Sequence, residues 1–197
     1  MNFVEPIRDI KKITQIKNTL RGAWKIRELL LFELWINSAL RISDLLWLQI
    51  SHLFGEQRNV KEYFDIKEKK TWKTNRISIT PKVKETLKLY KETYTQICSN
   101  QQNYIFFHTK KKTGIWSTHI GRKQAWQMIW DRCSDAGLVW AYGTHTLRKT
   151  RGYHANKKWV SLAIIQQKFQ HSSLVVTMRY IGITHDDIMK ACNDLDL

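Results

Sequence analysis

The segment from Lys25 to Asn37 constrains the fold most, because it is apolar almost all round. Its apolar side chains are Leu29, Leu30, Leu31, Phe32, Leu34, Trp35 and Ile36. A helix that is apolar on every face is typical of a protein interior, whereas a surface helix keeps one polar face. The segment therefore predicts a buried helix, and we expect a second, short helix from Leu40 to Leu48.

A period of two residues between Val60 and Thr80 predicts a β-hairpin. Phe64 and Ile66 share one face of the first strand, and Ile77 and Ile79 alternate with polar residues in the second. The tip between the two strands is rich in lysine.

A helix is predicted to start directly after the hairpin, because Thr80 can cap it and Pro81 suits its first turn. Its apolar stripe follows a four-three spacing through Val83, Leu87, Tyr90, Tyr94 and Ile97. The short apolar run Tyr104 to Phe107 predicts a buried strand. Further helices are expected at Ser117 to Ala136 (ended by Gly137), His145 to Asn156, Val160 to Phe169 and Ser172 to Tyr180, and an amphipathic one in the tail from Asp186 to Leu197.

These elements predict a mainly α fold with a small antiparallel β-sheet, of the α+β class. The chain has no repeat, low-complexity tract or linker-like stretch. We therefore expect residues 1–197 to form a single domain.

The charge balance points to a polyanionic partner, because 33 Lys and Arg against 17 Asp and Glu leave a formal net charge of +16. A membrane is the weaker choice, since there is neither an apolar run of about 18 residues nor a secretory signal. Cys98, Cys133 and Cys192 include no close pair, so they predict neither a disulfide framework nor a Cys-x-x-Cys zinc site. A reducing cytoplasm fits best.

Several basic clusters suit a phosphate backbone, where charge supplies much of the affinity, although a solvated face is the plain alternative for each. The residues we expect to contact DNA are Lys69, Lys73, Arg76, Lys110, Lys111, Lys112, Arg122, Lys149 and Arg151. Trp72, in the basic tip, is a further candidate.

One basic group is more specific. His145 and Arg148 stand three positions apart, so they can point at one anion from the same helix face. A guanidinium holds two phosphate oxygens through fixed N–H donors. Alone, His-x-x-Arg is also compatible with a structural role.

Four motifs in order resemble the tyrosine recombinases, or phage integrases, over nearly the whole chain. Leu40 to Leu45 resembles the family's arginine motif, and His145 to Arg148 its His-x-x-Arg box. His171 stands in the place of the second histidine, and Tyr180 follows nine positions later, in the place of the nucleophile. The resemblance implies the fold of a DNA breaking-rejoining catalytic core.

The resemblance also implies roles for single residues. Arg41 and Arg148 would bind the scissile phosphate, while His145 and His171 would hydrogen-bond to it and manage protons. The family's hairpin lysine would be Lys70, with Lys69 and Lys73 as rivals. Asp44 would be a supporting acid, or the cap of a short helix, and Arg41 pairing with Asp44 is the plain alternative.

The implied reaction cleaves and rejoins DNA through a 3′-phosphotyrosyl intermediate, for integration, excision or inversion of a mobile element. A phenol has a pKa of about 10, so Tyr180 needs neighbouring positive charge or a base. The scheme requires no metal and no cofactor. A homotetramer on DNA, coupled through the tail from Asp186 to Leu197, is also implied.

Two departures from the family pattern stand out. Gln170 replaces the usual glycine before the second histidine, which we expect to be tolerated if Gln170 lies within a helix or at its start. The N-terminal DNA-clamping domain of most integrases is expected to be absent, as in a fragment or a short recombinase.

Three other functions compete. A non-catalytic DNA-binding regulator would explain the charge but not the motif residues, and a type IB topoisomerase would use a similar residue set. A metal-dependent nuclease would have to rely on the tail acids Asp186, Asp187, Asp194 and Asp196.

Overall fold

A computed structural model describes residues 4–108, 118–138, 143–183 and 185–195. Within these ranges, one two-stranded antiparallel sheet is surrounded by helices, which confirms the predicted fold class. In chain order the elements are α1 Ile10–Gly22, α2 Ile26–Ser38, α3 Ile42–Leu46, α4 Ile50–Leu53, β1 Tyr63–Lys67, β2 Thr74–Ser78, α5 Pro81–Thr93, α6 Thr95–Cys98, α7 Arg122–Asp135, α8 Thr146–Lys157, α9 Leu162–Phe169, α10 Leu174–Ile181 and α11 His185–Asn193. No helix in these ranges is long and apolar enough to cross a membrane.

Helix α2 is the predicted buried helix, and it packs against α1, α5 and α8. Its one buried acid, Glu33, accepts a hydrogen bond from the Thr86 hydroxyl at 2.7 Å and lies 3.7 Å from Lys17 Nζ. The helix ends at Ala39, which adopts a left-handed φ of 57°. This turn delivers Arg41 to the N-cap of α3.

The hairpin has the predicted alternation, with Phe64 paired to Ile77 across the two strands. Both side chains are buried, while the outward residues of each strand are exposed. Apolar burial on one face sets the register, because a slip by one residue would turn these side chains to solvent.

Helices α8, α9 and α10 pack together around a second small core of Ala39, Ile165, Phe169 and Ile181. Gly152, in α8, lies at this contact. A Cβ built on Gly152 would be 2.6 Å from Ile181 Cγ2 and 2.8 Å from Phe169 Cε2. The helices can approach this closely because the residue has no side chain.

Two predicted elements were wrong in part, and a third, the helix with a stripe through Ile97, is divided at Tyr94 into α5 and α6. Tyr104 is half-buried and Ile105 to Phe107 are buried, but the run is not a strand, since it forms only isolated bridges from Tyr104 to Gln49 and from Phe107 to His119. An apolar run indicates burial, and it becomes a strand only where a neighbouring backbone offers a continuous ladder. Helix α7 begins at Arg122, because residues 118–121 are extended and Ile120 N donates to Phe106 O instead.

Helix α1 was not predicted, although its signals are present. Asp9 caps it by accepting a hydrogen bond from Lys11 N at 2.7 Å, and Ile13, Ile16 and Leu20 form its buried stripe. The stripe is short, and polar residues fill the rest of the helix.

The packing at Gly152 gives a stability prediction. Gly152→Ala should lower the free energy of unfolding by roughly 1–3 kcal/mol, because the added methyl overpacks the contact with α9 and α10. In an open helix position the same change is stabilising by about 0.5–1 kcal/mol. Chemical denaturation measures the difference.

Gly22→Ala is the matched control, since a Cβ there meets nothing within 4 Å. A Gly152→Ala variant that unfolds at the same denaturant concentration as the parent, or at a higher one, would contradict the close packing at Gly152.

Candidate active site

One cavity of about 500 Å³ is lined by all six residues predicted to be catalytic. They come from distant parts of the chain: the start of α3, the hairpin tip, the start of α8, the turn after α9, and α10. The lining consists of Arg41, Lys70, His145, Arg148, His171 and Tyr180, together with Val4, Lys149, Val176 and Arg179. Their individual roles stay predictions.

Tyr180 is hydrogen-bonded within this cavity. Its hydroxyl lies 2.9 Å from His145 Nδ1, and its ring packs edge-on against His171 with centroids 4.9 Å apart. Burial raises the pKa of Tyr180 to about 12, and the charges of Arg148 and Arg41 oppose part of that rise. The phenol is therefore protonated at neutral pH, with a ring nitrogen in place to accept its proton.

Both histidines of the cavity have lowered pKa values. The pKa of His171 is lowered to about 4, first by desolvation and then by the charges of Arg148, Arg41 and Lys70. The pKa of His145 is also lowered, by desolvation and then by Arg148 and Lys149. His171 Nδ1 lies 3.1 Å from Thr177 Oγ1, which orients its ring. Both imidazoles are thus neutral near pH 7.

Arg148 is 2% exposed, and its Nη2 donates to Phe169 O at 2.6 Å. Its Nη1 is buried and has no hydrogen-bond partner among the described residues. A buried donor without a partner is unfavourable by about 1–3 kcal/mol, and more when it is charged. An anion in the cavity would satisfy it.

Arg41 pairs with Glu68 and not with Asp44, the partner considered from the sequence. Glu68 is 1% exposed and also accepts from Asn75 Nδ2 at 2.6 Å. Asp44 instead accepts from Lys69 N at 3.1 Å. Sequence reasoning missed Glu68, although it continues the inward alternation of Phe64 and Ile66.

Of the three lysine candidates in the hairpin tip, Lys70 lines the cavity. Lys69 instead places its Nζ 3.5 Å from the ring centroid of Trp47. Lys73 is exposed at the base of the tip, where its carbonyl accepts from Glu68 N at 3.0 Å.

The residues expected to contact DNA lie in different settings. Lys69, Lys73, Arg122 and Arg151 are exposed, as is Trp72, beside Lys67. Arg76 is exposed but bonded to Asp65 through two contacts of 2.8 Å. Lys149 is only 9% exposed and belongs to the cavity wall. Lys110, Lys111 and Lys112 lie outside the described residues.

Gln170 is neither within a helix nor at the start of one, so the condition under which we expected it to be tolerated is not met. It is the C-cap of α9, with a left-handed φ of 52°. This is a conformation that glycine adopts at little cost and glutamine rarely adopts.

Among the described residues, no group of three or more His, Cys, Asp or Glu side chains is placed to hold a metal ion. The polar lining of the cavity is mainly cationic or neutral, which suits an anion.

Solved structures identify the class of fold. The chain is similar to XerA recombinase, with a TM-score of 0.71 at 14% identity, covering 100% of this chain and 67% of that one. It is also similar to a lambda integrase fragment, with a TM-score of 0.66 at 17% identity, covering 94% of this chain and 62% of that one. At such identities the likeness shows the fold, which is that of tyrosine recombinases.

Sequence comparison identifies the family. A model described as "Phage integrase family" matches residues 7–186. The chain is 36% identical to "Probable integrase/recombinase YoeC" of Bacillus subtilis (strain 168), over 94% of this chain and 93% of that protein. It is 24% identical to tyrosine recombinase XerA of Pyrococcus furiosus, over 88% of this chain and 56% of that protein. The chain belongs to the phage integrase family, as predicted, and these matches support a site-specific recombinase function.

The lowered pKa of His171 predicts a pH dependence of stability. An unfolded histidine titrates at 6.5, whereas folded His171 titrates at about 4. Between these values the unfolded chain binds more protons, so the free energy of unfolding should fall as the pH drops from about 7 towards 4.

Denaturation of the parent and His171→Gln across this pH range measures the effect. The variant should lose less stability than the parent between pH 7 and pH 4. An NMR titration that gives His171 a pKa near 6.5 would contradict the prediction.

Proposed function

We propose that the chain cuts and rejoins DNA at specific sites, using Tyr180 as the nucleophile, to integrate, excise or invert a mobile element. The observation that carries the proposal is the single cavity that joins Tyr180 to two arginines, two histidines and Lys70. Two alternative functions that would explain the positive charge, a DNA-binding regulator and a metal-dependent nuclease, do not explain why these residues meet in one cavity.

The scissile phosphate is the anion that the cavity would hold. The Nη1 of buried Arg148, which has no partner in the described part of the chain, and the charge of Arg41 would bind its oxygens. Donors held in place by the fold stabilise the negative charge that builds up as phosphorus becomes five-coordinate. The pairing of Arg41 with Glu68 orients this donor before the substrate arrives.

Tyr180 would attack phosphorus as its proton moves to His145. The Nδ1 atom lies 2.9 Å from the hydroxyl, and the pKa of His145 is lowered, so the neutral ring can accept the proton in the tautomer that carries its hydrogen on Nε2. A bound phosphate would offset the arginine charges that lower this pKa, which makes His145 a stronger base when DNA is in place.

The leaving group is the 5′ oxygen, whose bond to phosphorus breaks as the bond to Tyr180 forms. We assign Lys70 as the acid that protonates this oxygen. The resulting 3′-phosphotyrosine keeps the energy of the broken bond. A 5′ hydroxyl from a second strand can therefore reverse the step without ATP.

Solved relatives support DNA as the partner. XerH was crystallised with its difH substrate, and lambda integrase as a dimer on a core site. The Tn1549 integrase was solved with transposon right-end DNA. We propose that this chain likewise assembles on DNA, as a homotetramer, in the bacterial cytoplasm at the nucleoid.

The tail supports that assembly. Helix α11 exposes Ile188 and Met189, and Leu195 just beyond it is exposed as well. Three exposed apolar side chains on a terminal segment suit docking into a neighbouring subunit.

Covalent trapping on nicked duplexes that carry element-end sequences tests the nucleophile. The parent should form a protein–DNA adduct on a denaturing gel, and Tyr180→Phe should form none, because it lacks the attacking oxygen. EDTA should leave the adduct unchanged.

Tyr153→Phe is the matched control, since Tyr153 lies outside the cavity lining, on α8. An adduct that survives Tyr180→Phe would mean that another residue is the nucleophile.

Deletion of Asp186 to Leu197 should weaken assembly on DNA, because it removes exposed apolar side chains each worth about 1.5–3 kcal/mol when buried. We expect the protein concentration needed for the tetrameric complex to rise roughly tenfold or more, while binding of one subunit to a half-site persists. Light scattering on the DNA complex measures both, and an unchanged tetramer would refute the docking role.

A further inference from the structure

The turn between α9 and α10 contacts three parts of the cavity through three consecutive residues. The carbonyl of Phe169 accepts from Arg148 Nη2 at 2.6 Å. The side-chain oxygen of Gln170 accepts a hydrogen bond from the Thr71 hydroxyl, across the cavity in the hairpin tip. His171 is part of the cavity lining. This turn therefore links a phosphate-binding arginine, a histidine and the hairpin.

The backbone conformation of Gln170 is unusual for a residue with a side chain. Its φ of 52° and ψ of 41° are left-handed, which is unfavourable by roughly 1–2 kcal/mol for a residue with a side chain. The turn itself is closed by backbone bonds, from Gln170 N to Gln167 O at 3.0 Å and from His171 N to Gln166 O at 3.1 Å. Glycine would make the same bonds without strain. The glutamine side chain must therefore contribute something else.

The Gln170 side chain contributes a hydrogen bond to Thr71, the residue next to Lys70. The tip is held to the rest of the protein on one side of Lys70 by the bond from Lys69 N to Asp44 Oδ1 at 3.1 Å. On the other side it is held by the Thr71 bond to Gln170. Lys70 thus lies between two attachment points. The tip is closed from within by the bond from Trp72 N to Glu68 O at 2.8 Å.

We propose that Gln170 is a positioning residue for Lys70, and that it acts through Thr71 to hold the hairpin tip over the cavity. The inference rests on the proposed function, in which Lys70 protonates the leaving 5′ oxygen. Without the Gln170 contact the tip loses its attachment on the side after Lys70, and the lysine ammonium group spends less time at the reacting oxygen. A displacement of about 1 Å can slow a reaction on the order of 100-fold.

The test compares two DNA substrates under single-turnover conditions at saturating DNA. One is ordinary DNA, and the other has sulfur in place of the bridging 5′ oxygen. A thiol has a pKa of about 8.5, far below that of an alcohol, so sulfur leaves without a proton donor. A defect in protonation therefore appears on ordinary DNA and disappears on the sulfur substrate.

Gln170→Gly should slow cleavage of ordinary DNA roughly 10- to 100-fold and change cleavage of the sulfur substrate by less than about twofold. Its melting temperature should match or exceed that of the parent, because glycine relieves the left-handed strain. Gln170→Asn tolerates this backbone but is one methylene shorter, so it should behave like the glycine variant.

Thr71 variants test the path of the effect. Thr71→Ala should show the same selective loss as Gln170→Gly, and Thr71→Ser should restore cleavage because it keeps the hydroxyl. The double variant Thr71→Ala/Gln170→Gly should be no slower than either single variant, since both remove one shared bond.

Lys70→Ala separates failure of this inference from failure of the proposed function. If Lys70→Ala is slow on ordinary DNA and rescued by sulfur, the role of Lys70 stands. Gln170→Gly that then cleaves both substrates at the parent rate, or slows both equally, overturns the positioning role of Gln170. A Lys70→Ala variant that sulfur does not rescue overturns the role of Lys70 as proton donor, and this inference with it.

Discussion

The buried ion pair between Arg41 and Glu68 is the interaction on which the cavity depends. A carboxylate that is 1% exposed would be strongly unfavourable without partners, and Glu68 has two, Arg41 and Asn75. Asn75 in turn accepts from Lys168 Nζ at 3.1 Å, which also donates to Arg76 O at 2.8 Å. One buried charge thereby connects the start of α3, the hairpin and α9. These are the elements that place Arg41 and Lys70 and, through the turn after α9, His171.

The electrostatics of the cavity make sense with an anion bound. Three arginines and two lysines line it, the pKa of His171 is lowered to about 4, and a buried nitrogen of Arg148 has no hydrogen-bond partner among the described residues. The clustered positive charges and the buried nitrogen of Arg148 are unfavourable without a counterion. A phosphate bound in the cavity, as the proposed function requires, would neutralise the cluster and make both features favourable. The hydrophobic core around α2 contributes favourable folding free energy that offsets the unfavourable charge cluster of the site.

Periodicity predicted most of the fold, and the resemblance to tyrosine recombinases predicted six of the residues that line the cavity. Helix α2 was predictable because its apolar residues cover every face, and the hairpin because its period is two. The buried run at Tyr104 to Phe107 was not, since hydrophobicity reports burial while a strand also needs a continuous partner. The ion pair of Arg41 was likewise hidden. Asp44 stands three positions from Arg41 in the sequence, and only the path of the hairpin decides that Glu68 is the partner.

Backbone strain is a further feature that the sequence patterns did not predict, and half of the strained residues stand close in sequence to residues of the cavity. Of the six residues other than glycine with positive φ in the described ranges, three are Ala39, Trp72 and Gln170. Ala39 stands two positions before Arg41, and Trp72 stands two positions after Lys70. Gln170 directly precedes His171. A residue in the left-handed conformation turns the chain sharply. A helix or strand can therefore end there, and a side chain one or two positions away can point into the cavity. Such conformations persist only where surrounding contacts enforce them. Around this cavity those contacts are the packing of α2, the closed hairpin tip and the bond from Thr71 to Gln170, so the precision of the site depends on interactions between segments far apart in the chain.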